Sequence, residues 1–485
     1  MKPTVLALLA PSLALLLLAG CALGPDYERP SLATPAAWRS GTPPTPGEAP
    51  EELANLAWWR QLEDPVLDAL VAEALTNNRD LKIAAARIDE AAGVLGTTRA
   101  QRFPQLGASL NGSRAQASDA GLTPLPTTVN RINSQYSAAL NVAWEIDLFG
   151  RLRRADEASR ADLLSSEESR RGLVLSLAAT VANAYIGLRE LDSELEIARQ
   201  TLKTREESLR IFDLRYQGGV VSEMEVAQVR SEMEAARIAV SNLELASAQQ
   251  ENALSALLGR LPGPITRGKA LADMGLPLPP VSLPASVLER RPDIRQAEQN
   301  LIANNARIGV AKAAYFPTVS LTGLLGSSSV AFSNLFTGPA KVWSYGGDLA
   351  VPIFSAGAIA GQVQAAEARQ VQALEQYRKA VENAFREVDD ALIGGDKSRE
   401  VLDARIRQVD ALKTYARSAN LRYAGGYSSF LEVLDAERSL FQAQIYESQA
   451  RGQALIAATT LYKVLGGGWQ VIDAAVVAEA SAPVK

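Results

Sequence analysis

Glu432 and Asp435 stand three residues apart, and Arg438 follows at the same interval. On a helix this spacing puts the three side chains on one face. By spacing alone they form a solvated helix face, with Asp435 and Arg438 an i,i+3 ion pair worth about 0.3 kcal/mol. Bond-making chemistry has little else to draw on. The 485-residue chain has no histidine and a single cysteine, Cys21. That removes the Ser-His-Asp triad, the Cys-His pair, His-ligated zinc or iron, internal disulfides and cysteine-cluster metal sites. No nucleophile motif or glycine-rich phosphate loop is present. The Gly466-Gly467-Gly468 run follows a helical pattern and reads as its terminator. No catalytic residue, cofactor or metal site is expected. With a net charge of -5, the chain has no basic excess to suit nucleic acid.

Cys21 closes a signal sequence. Lys2, an apolar run from Val5 to Leu18, and then Ala19-Gly20 give a positive start, a short apolar stretch and small residues before a cut. Leu18-Ala19-Gly20-Cys21 resembles a bacterial lipobox. The resemblance implies cleavage before Cys21 and acylation of its thiol and new amine, each acyl chain anchoring with about 0.8 kcal/mol per buried CH2. The alternative is an ordinary signal that contains a cysteine. Ala22, rather than Asp, after the cysteine resembles an outer-membrane sorting signal. Residues 22–57 are rich in Pro, Ala, Gly and Thr and read as an extended tether.

The elements that must position these residues are repeated. Ala100-Gln101-Arg102-Phe103-Pro104 matches Ala313-Ala314-Tyr315-Phe316-Pro317, and Leu214-Arg215-Tyr216-Gln217-Gly218-Gly219 matches Leu421-Arg422-Tyr423-Ala424-Gly425-Gly426. Leu258-Gly259 matches Leu465-Gly466 at the same shift of 207 as the second pair. The organisation read from this is a signal peptide at 1–20, a tether and equatorial segment at 21–62, and a first repeat at 63–262. A Pro-rich linker at 263–285, a second repeat at 286–466 and a tail at 467–485 follow. No proline lies between Pro126 and Pro262 or between Pro352 and Pro483, and the runs are rich in Ala, Leu, Glu, Arg and Gln. Such runs predict very long helices: Gly150 to Tyr216 would span about 100 Å. Gly218-Gly219 and Gly425-Gly426 break each run as the tip of a helical hairpin, with Ser222 and Ser428 or Ser429 as N-caps of the returning helices.

Short alternating segments predict strands at about 105–117, 134–148, 318–328 and 342–354. Tyr136, Leu140, Val142, Trp144, Ile146 and Leu148 fall on one face, with Ser137, Asn141, Glu145 and Asp147 on the other. A half-buried sheet in a soluble protein has this pattern. So does a lipid-facing barrel with a wet interior. Four strands cannot close a barrel, and an open edge is forbidden in lipid. Three copies would supply about twelve strands.

Read in order, Trp58-Trp59, Trp144-Glu145-Ile146-Asp147-Leu148-Phe149-Gly150, Leu288-Glu289-Arg290-Arg291-Pro292-Asp293-Ile294, Ala314-Tyr315-Phe316-Pro317 and Gly466-Gly467-Gly468-Trp469 resemble the outer membrane factors. These are TolC-like trimeric efflux channels, here the NodT-type lipoprotein branch, and the likeness runs from Cys21 to Trp469. It implies a mainly α fold with a small β part: a trimeric α-helical barrel plus a shared transmembrane β-barrel with four strands per chain. It implies a homotrimer in the outer membrane with a periplasmic tunnel. The implied partners are outer membrane lipid, a periplasmic adaptor and an inner-membrane pump of the resistance-nodulation-division type that supplies the energy.

Carried over residue by residue, Leu431 resembles the family's apolar constriction, and Glu432 and Asp435 its twin acidic rings. Tyr423 and Arg438 resemble residues whose links hold the helices closed. In a trimer Glu432 and Asp435 would set about six carboxylates round a narrow axis and attract cations. The glycine tips Gly218, Gly219, Gly425 and Gly426 read as adaptor-docking surface as well as helix stops. In the first repeat Glu225 matches Glu432, but Gln228 stands where Asp435 does, so the second hairpin is expected to line the constriction. A periplasmic lipoprotein adaptor or coiled-coil scaffold without a pore is the alternative, and the strands and the duplication count against it. The sequence leaves the cargo open.

Overall fold

A computed structural model describes residues 22–32, 34–35, 37–39, 57–118, 130–277, 287 and 290–467. In chain order they form α1 (Pro65–Asn77), α2 (Arg79–Ala100), β1 (Gln105–Gln116), β2 (Ile132–Ile146), α3 (Arg151–Gln217) and α4 (Glu223–Leu257). Then come α5 (Pro292–Ala313), β3 (Thr318–Ser329), β4 (Lys341–Ala350), α6 (Ala358–Ala424) and α7 (Phe430–Val464), with short 3-10 turns between. The signal peptide, Cys21 and the tail from Gly468 lie outside the described residues.

The proline-free runs become helices on the scale their composition permits. α3 and α6 have 67 residues each, and α4 and α7 have 35 each. At 1.5 Å per residue the long ones measure about 100 Å. Both helices of the second hairpin begin 207 positions after their counterparts in the first (151 to 358, 223 to 430). A fixed offset over whole helices leaves no room for an insertion, which would rotate every later side chain off its face.

The chain divides into two compact units. The first, residues 1–31, 87–166 and 296–377, holds an antiparallel sheet in the order β1-β2-β3-β4. β1 and β4 each leave one edge unpaired among the described residues. The register aligns apolar residues across the strands: Leu106 opposite Val142, Leu140 opposite Leu325, Leu325 opposite Trp343. On the other face Asn141 Nδ2 donates to Ser109 Oγ at 3.0 Å. The apolar row is open to the outside. Leu106, Leu110, Trp343 and Tyr345 are each at least 70% exposed, too much apolar surface for a sheet facing water. β4 stops at Ala350, short of the expected 354, because Pro352 has no N–H to continue the ladder.

The segment read as a free tether is, over its first eleven residues, a strap. Leu23 N donates to Phe149 O at 3.3 Å, Arg154 Nε to Leu23 O at 3.1 Å, and Asn305 Nδ2 to Pro25 O at 2.9 Å. Tyr27 OH donates to Glu298 Oε1 at 3.0 Å, where Arg29 also pairs at 3.2 Å. Gly309 lets the strap approach α5, since a methyl there would collide with Leu23 O. Proline and glycine kept this stretch extended, but its carbonyls are taken by side chains from α3 and α5.

The second unit, residues 32–86, 167–295 and 378–485, has its core around Trp58, Trp59, Leu62, Leu67, Val71, Val181, Tyr185, Ile186 and Tyr462. Trp58 stacks on Tyr462 with centroids 5.6 Å apart. Ile265, Leu271 and Met274 are buried, so the described part of 263–285 belongs to this core. Asp64, fully buried, caps α1 through Val66 N at 2.9 Å and accepts from Tyr185 OH at 2.9 Å and Lys269 N at 3.0 Å. Gly268 makes room for it, because a methyl there would collide with both carboxylate oxygens. Gly268→Ala is therefore expected to displace a helix cap and two buried hydrogen bonds, a loss of about 3 kcal/mol read in thermal unfolding. An unchanged midpoint would show that the linker yields without cost.

Candidate functional site

The hairpin tips are built twice from one plan. At the first, Gly218 N donates to Leu214 O (3.1 Å), Gly219 N to Tyr216 O (2.9 Å) and Val220 N to Arg215 O (2.9 Å). At the second, Gly425 N donates to Leu421 O (3.0 Å), Gly426 N to Tyr423 O (3.0 Å) and Tyr427 N to Arg422 O (2.9 Å). Gly219 and Gly426 take φ of 71° and 75°, the left-handed conformation that satisfies the last carbonyls of a helix.

The two plans part at the returning helices. Ser222 and Glu225 form a reciprocal capping box, with Glu225 N donating to Ser222 Oγ at 3.3 Å and Ser222 N to Glu225 Oε2 at 2.7 Å. The Ser222 N–H, and with it the Ser222 hydroxyl donating to Glu225 Oε2 at 2.9 Å, hold the Glu225 carboxyl below its ordinary range. In α7 the cap position is Ser429, whose side chain makes no cap bond. Glu432, the counterpart of Glu225, instead meets Arg422 Nε at 3.4 Å.

Phe430, Val433, Leu434 and Ala436 face inward and pack with Phe212, Val226, Val229, Ala416 and Ala419. Leu431 consequently points out and is 65% exposed, with Glu432 partly exposed and Asp435 exposed beside it. The i,i+3 pairing of Asp435 with Arg438 does not form. Asp435 Oδ2 accepts from Tyr415 OH on α6 at 3.3 Å, while the longer Arg438 reaches across to Glu232 on α4. Glu232 also takes the buried Arg205, at 3.2 Å, and Arg205 Nη1 donates to Glu232 O at 2.7 Å. Burial pulls the Arg205 guanidinium below its ordinary value and the Glu232 charge opposes this. Tyr423 OH accepts from Arg215 Nη1 at 3.0 Å, and the Tyr423 ring packs on Phe430 and Phe212. Both links therefore join the first hairpin to the second within one chain.

Glu232, Arg205, Arg215, Phe212 and Tyr415 were not singled out from sequence. One signal did exist. The linked positions lie 206 and 208 apart (Arg438 to Glu232, Tyr423 to Arg215), on either side of the repeat shift of 207. Equal heights on two equivalent hairpins meet across the seam.

Farther along α3, Glu190 lies against α7 where Gly452 leaves space, since a methyl there would collide with Glu190 Oε2. Burial, with the Glu194 charge adding to it, pushes Glu190 up to about 7. Burial likewise raises Glu194, whose Oε1 has no hydrogen-bond partner. A carboxyl with a raised folded pKa stabilises the fold in its protonated form, so stability falls as pH rises from the unfolded value near 4.5 through about 7. Glu190→Gln is expected to match the wild type at pH 5. At pH 8 it should be more stable by about 1 kcal/mol, after allowing for the water that still reaches this half-buried group. Parallel melting curves at both pH values would contradict this.

A family model described as outer membrane efflux protein matches residues 70–260 and 283–467. The antibiotic efflux pump outer membrane protein ArpC of Pseudomonas putida is 38% identical over 466 residues, covering 96% of each chain. SilC of Salmonella typhimurium, named a probable outer membrane lipoprotein, is 35% identical over 457 residues, covering 93% of this chain and 97% of its own. The open state of the MtrE outer membrane channel of Neisseria gonorrhoeae matches with a TM-score of 0.82 at 32% identity, over 93% of this chain and 99% of that one.

Proposed function

The chain belongs to the outer membrane efflux protein family, and from that premise we propose how its parts make a channel. The protein is the outer membrane channel of an efflux system that includes an adaptor and an inner-membrane pump. Three copies assemble, each giving four strands to a barrel of about twelve and two hairpins to a helical tunnel through the periplasm. The observation that carries this is the sheet, whose two open edges and exposed apolar row have no stable place in a lone chain. Acylated Cys21 adds a second hold on the membrane. The internal repeat gives three chains six similar hairpins, which suits a closed ring.

At the narrow end Leu431 forms the apolar constriction, and Glu432 and Asp435 form acidic rings of about six carboxylates. The exposure of all three, with their neighbours packed inward, supports this. The Tyr423–Arg215 and Arg438–Glu232 links hold the hairpins together in the closed state. The tips at Gly218, Gly219, Gly425 and Gly426 receive the adaptor, and a resistance-nodulation-division pump drives transport. In cells lacking their own outer membrane channel but holding the matching pump and adaptor, the wild type is expected to restore drug resistance. Gly218→Trp, at a position with ordinary backbone geometry, should abolish it and leave the trimer intact. Full resistance with the bulky tip would remove the tips from docking.

A further inference from the structure

Rows of side chains cross the apolar face of the sheet in register. One runs Ala108–Leu140–Leu325–Trp343, and the next, toward the β3–β4 turn, runs Leu110–Ala138–Ser327–Lys341. The second row is cut away in the middle, where Ala138 and Ser327 are small. Gly326 lies so close to β2 that a methyl would collide with Ala138 O. The result is a depression of about 570 Å³ walled by Leu110, Leu140, Leu325 and Trp343, with Lys341 at its rim and Phe336 projecting from the turn. The turn is fixed over this end of the sheet by Phe332, edge-on to Tyr136 at 5.6 Å, and by the buried Leu335.

Lys341 has no acidic partner among the described residues, and Arg114, on the same face of β1 nearer the turn end, has none either. Cations on an apolar face stay cheap only at the membrane boundary, where a long side chain reaches the headgroups. The strap identifies which boundary this is. Leu23 bonds to Phe149, just past the end of β2, so the lipid-anchored end of the chain enters beside that end of the strands. Ala138 lies eight residues back along β2, about 27 Å along the strand at 3.4 Å per residue and about 20 Å across the bilayer at a tilt of about 40°, most of the height of a barrel's apolar band. Lys341 and the depression therefore belong to the leaflet opposite the anchor.

We propose that this depression is a binding site for a phosphate-bearing glycolipid of the outer leaflet. An acyl chain fills the apolar notch against Trp343, whose ring stacks on Tyr345 at 5.7 Å, the phosphate meets Lys341, and the sugar rings lie against the exposed Phe336 on the turn beyond it. Charge complementarity selects an anionic headgroup, and the exposed Phe336 ring on the headgroup side of the cation fits a sugar better than a small headgroup. The proposal rests on the reading that the apolar face meets the bilayer.

The test uses detergent-purified full-length protein, titrated with diphosphorylated lipid A, phosphatidylglycerol or phosphatidylcholine and read by native mass spectrometry. The wild type is expected to hold lipid A about tenfold more tightly than phosphatidylcholine. Lys341→Gln should weaken lipid A binding about fivefold, the effect of one surface cation. Ala138→Leu should weaken it similarly by filling the notch with a residue the lipid face tolerates. Equal binding of all three lipids, or unchanged binding in both variants, would overturn the site. Phosphatidylglycerol bound as tightly as lipid A would overturn the glycolipid assignment. Channel formation by the same samples in planar bilayers separates the two levels. If the channels form without lipid preference, only the site falls; if no sample enters a bilayer, the membrane reading of this face falls with it.

Discussion

Glu232→Ala is expected to leave the Arg205 guanidinium buried without its carboxylate and to release Arg438 in the same step. The side chains of Arg205 and Glu232 are 7% and 16% exposed, so their pairing is shielded from water. Removing one partner of such a pair costs about 3–5 kcal/mol, most of it the penalty for the stranded charge, and the nearby Glu437 carboxyl keeps the loss toward the lower figure. The Arg438 arm contributes far less to stability, because its side chain is 64% exposed. It ties α7 to α4 across the seam between hairpins, and in the proposed gate that tie holds the closed state. Glu232→Ala should therefore lower the thermal midpoint and raise the leak conductance of reconstituted channels. Arg438→Ala should raise the leak with little loss of stability. Wild-type conductance in both variants would reduce the link to a surface pair.

The second large effect concerns ion selectivity. In the proposed trimer, Glu432→Ala with Asp435→Ala would remove about six carboxylates from a narrow axis whose low-dielectric walls focus their field. The ratio of cation to anion permeability is expected to fall on the order of fivefold at low salt. The loss should shrink at 1 M salt, where the screening length is about 3 Å. Reversal potentials in asymmetric potassium chloride read this directly. Unchanged potentials would take Glu432 and Asp435 out of the pore.

Much of the scaffold was legible because it rests on local rules. Absence of proline and helix-forming composition set α3 close to its expected limits, Arg151–Gln217 against Gly150–Tyr216, and the paired glycines placed the tips, with Ser222 and Ser429 at the N-cap positions of α4 and α7. Period-two alternation located the strands to within two residues, except that β4 ends at Ala350, four short; β2 runs Ile132–Ile146 against the expected 134–148. What could not be read was which distant side chains would meet. The strap after Cys21 has the composition of a linker, yet Asn305 and Glu298, more than 270 residues away, hold it. Arg438 had a carboxylate at i,i−3 and chose Glu232, because Asp435 turned to Tyr415 and the neighbouring hairpin brought Glu232 within reach. Periodicity describes one helix at a time and carries no information about the seam between two.

A sheet with two edges unpaired among the described residues calls for other copies of the chain, and their number can be weighed. The mass of the detergent-purified protein, corrected for bound detergent by light scattering, is expected to equal three chains of 51.7 kDa less the signal peptide. A stable particle of one chain that still forms conducting channels would contradict the account, because four strands would then have closed a pore alone.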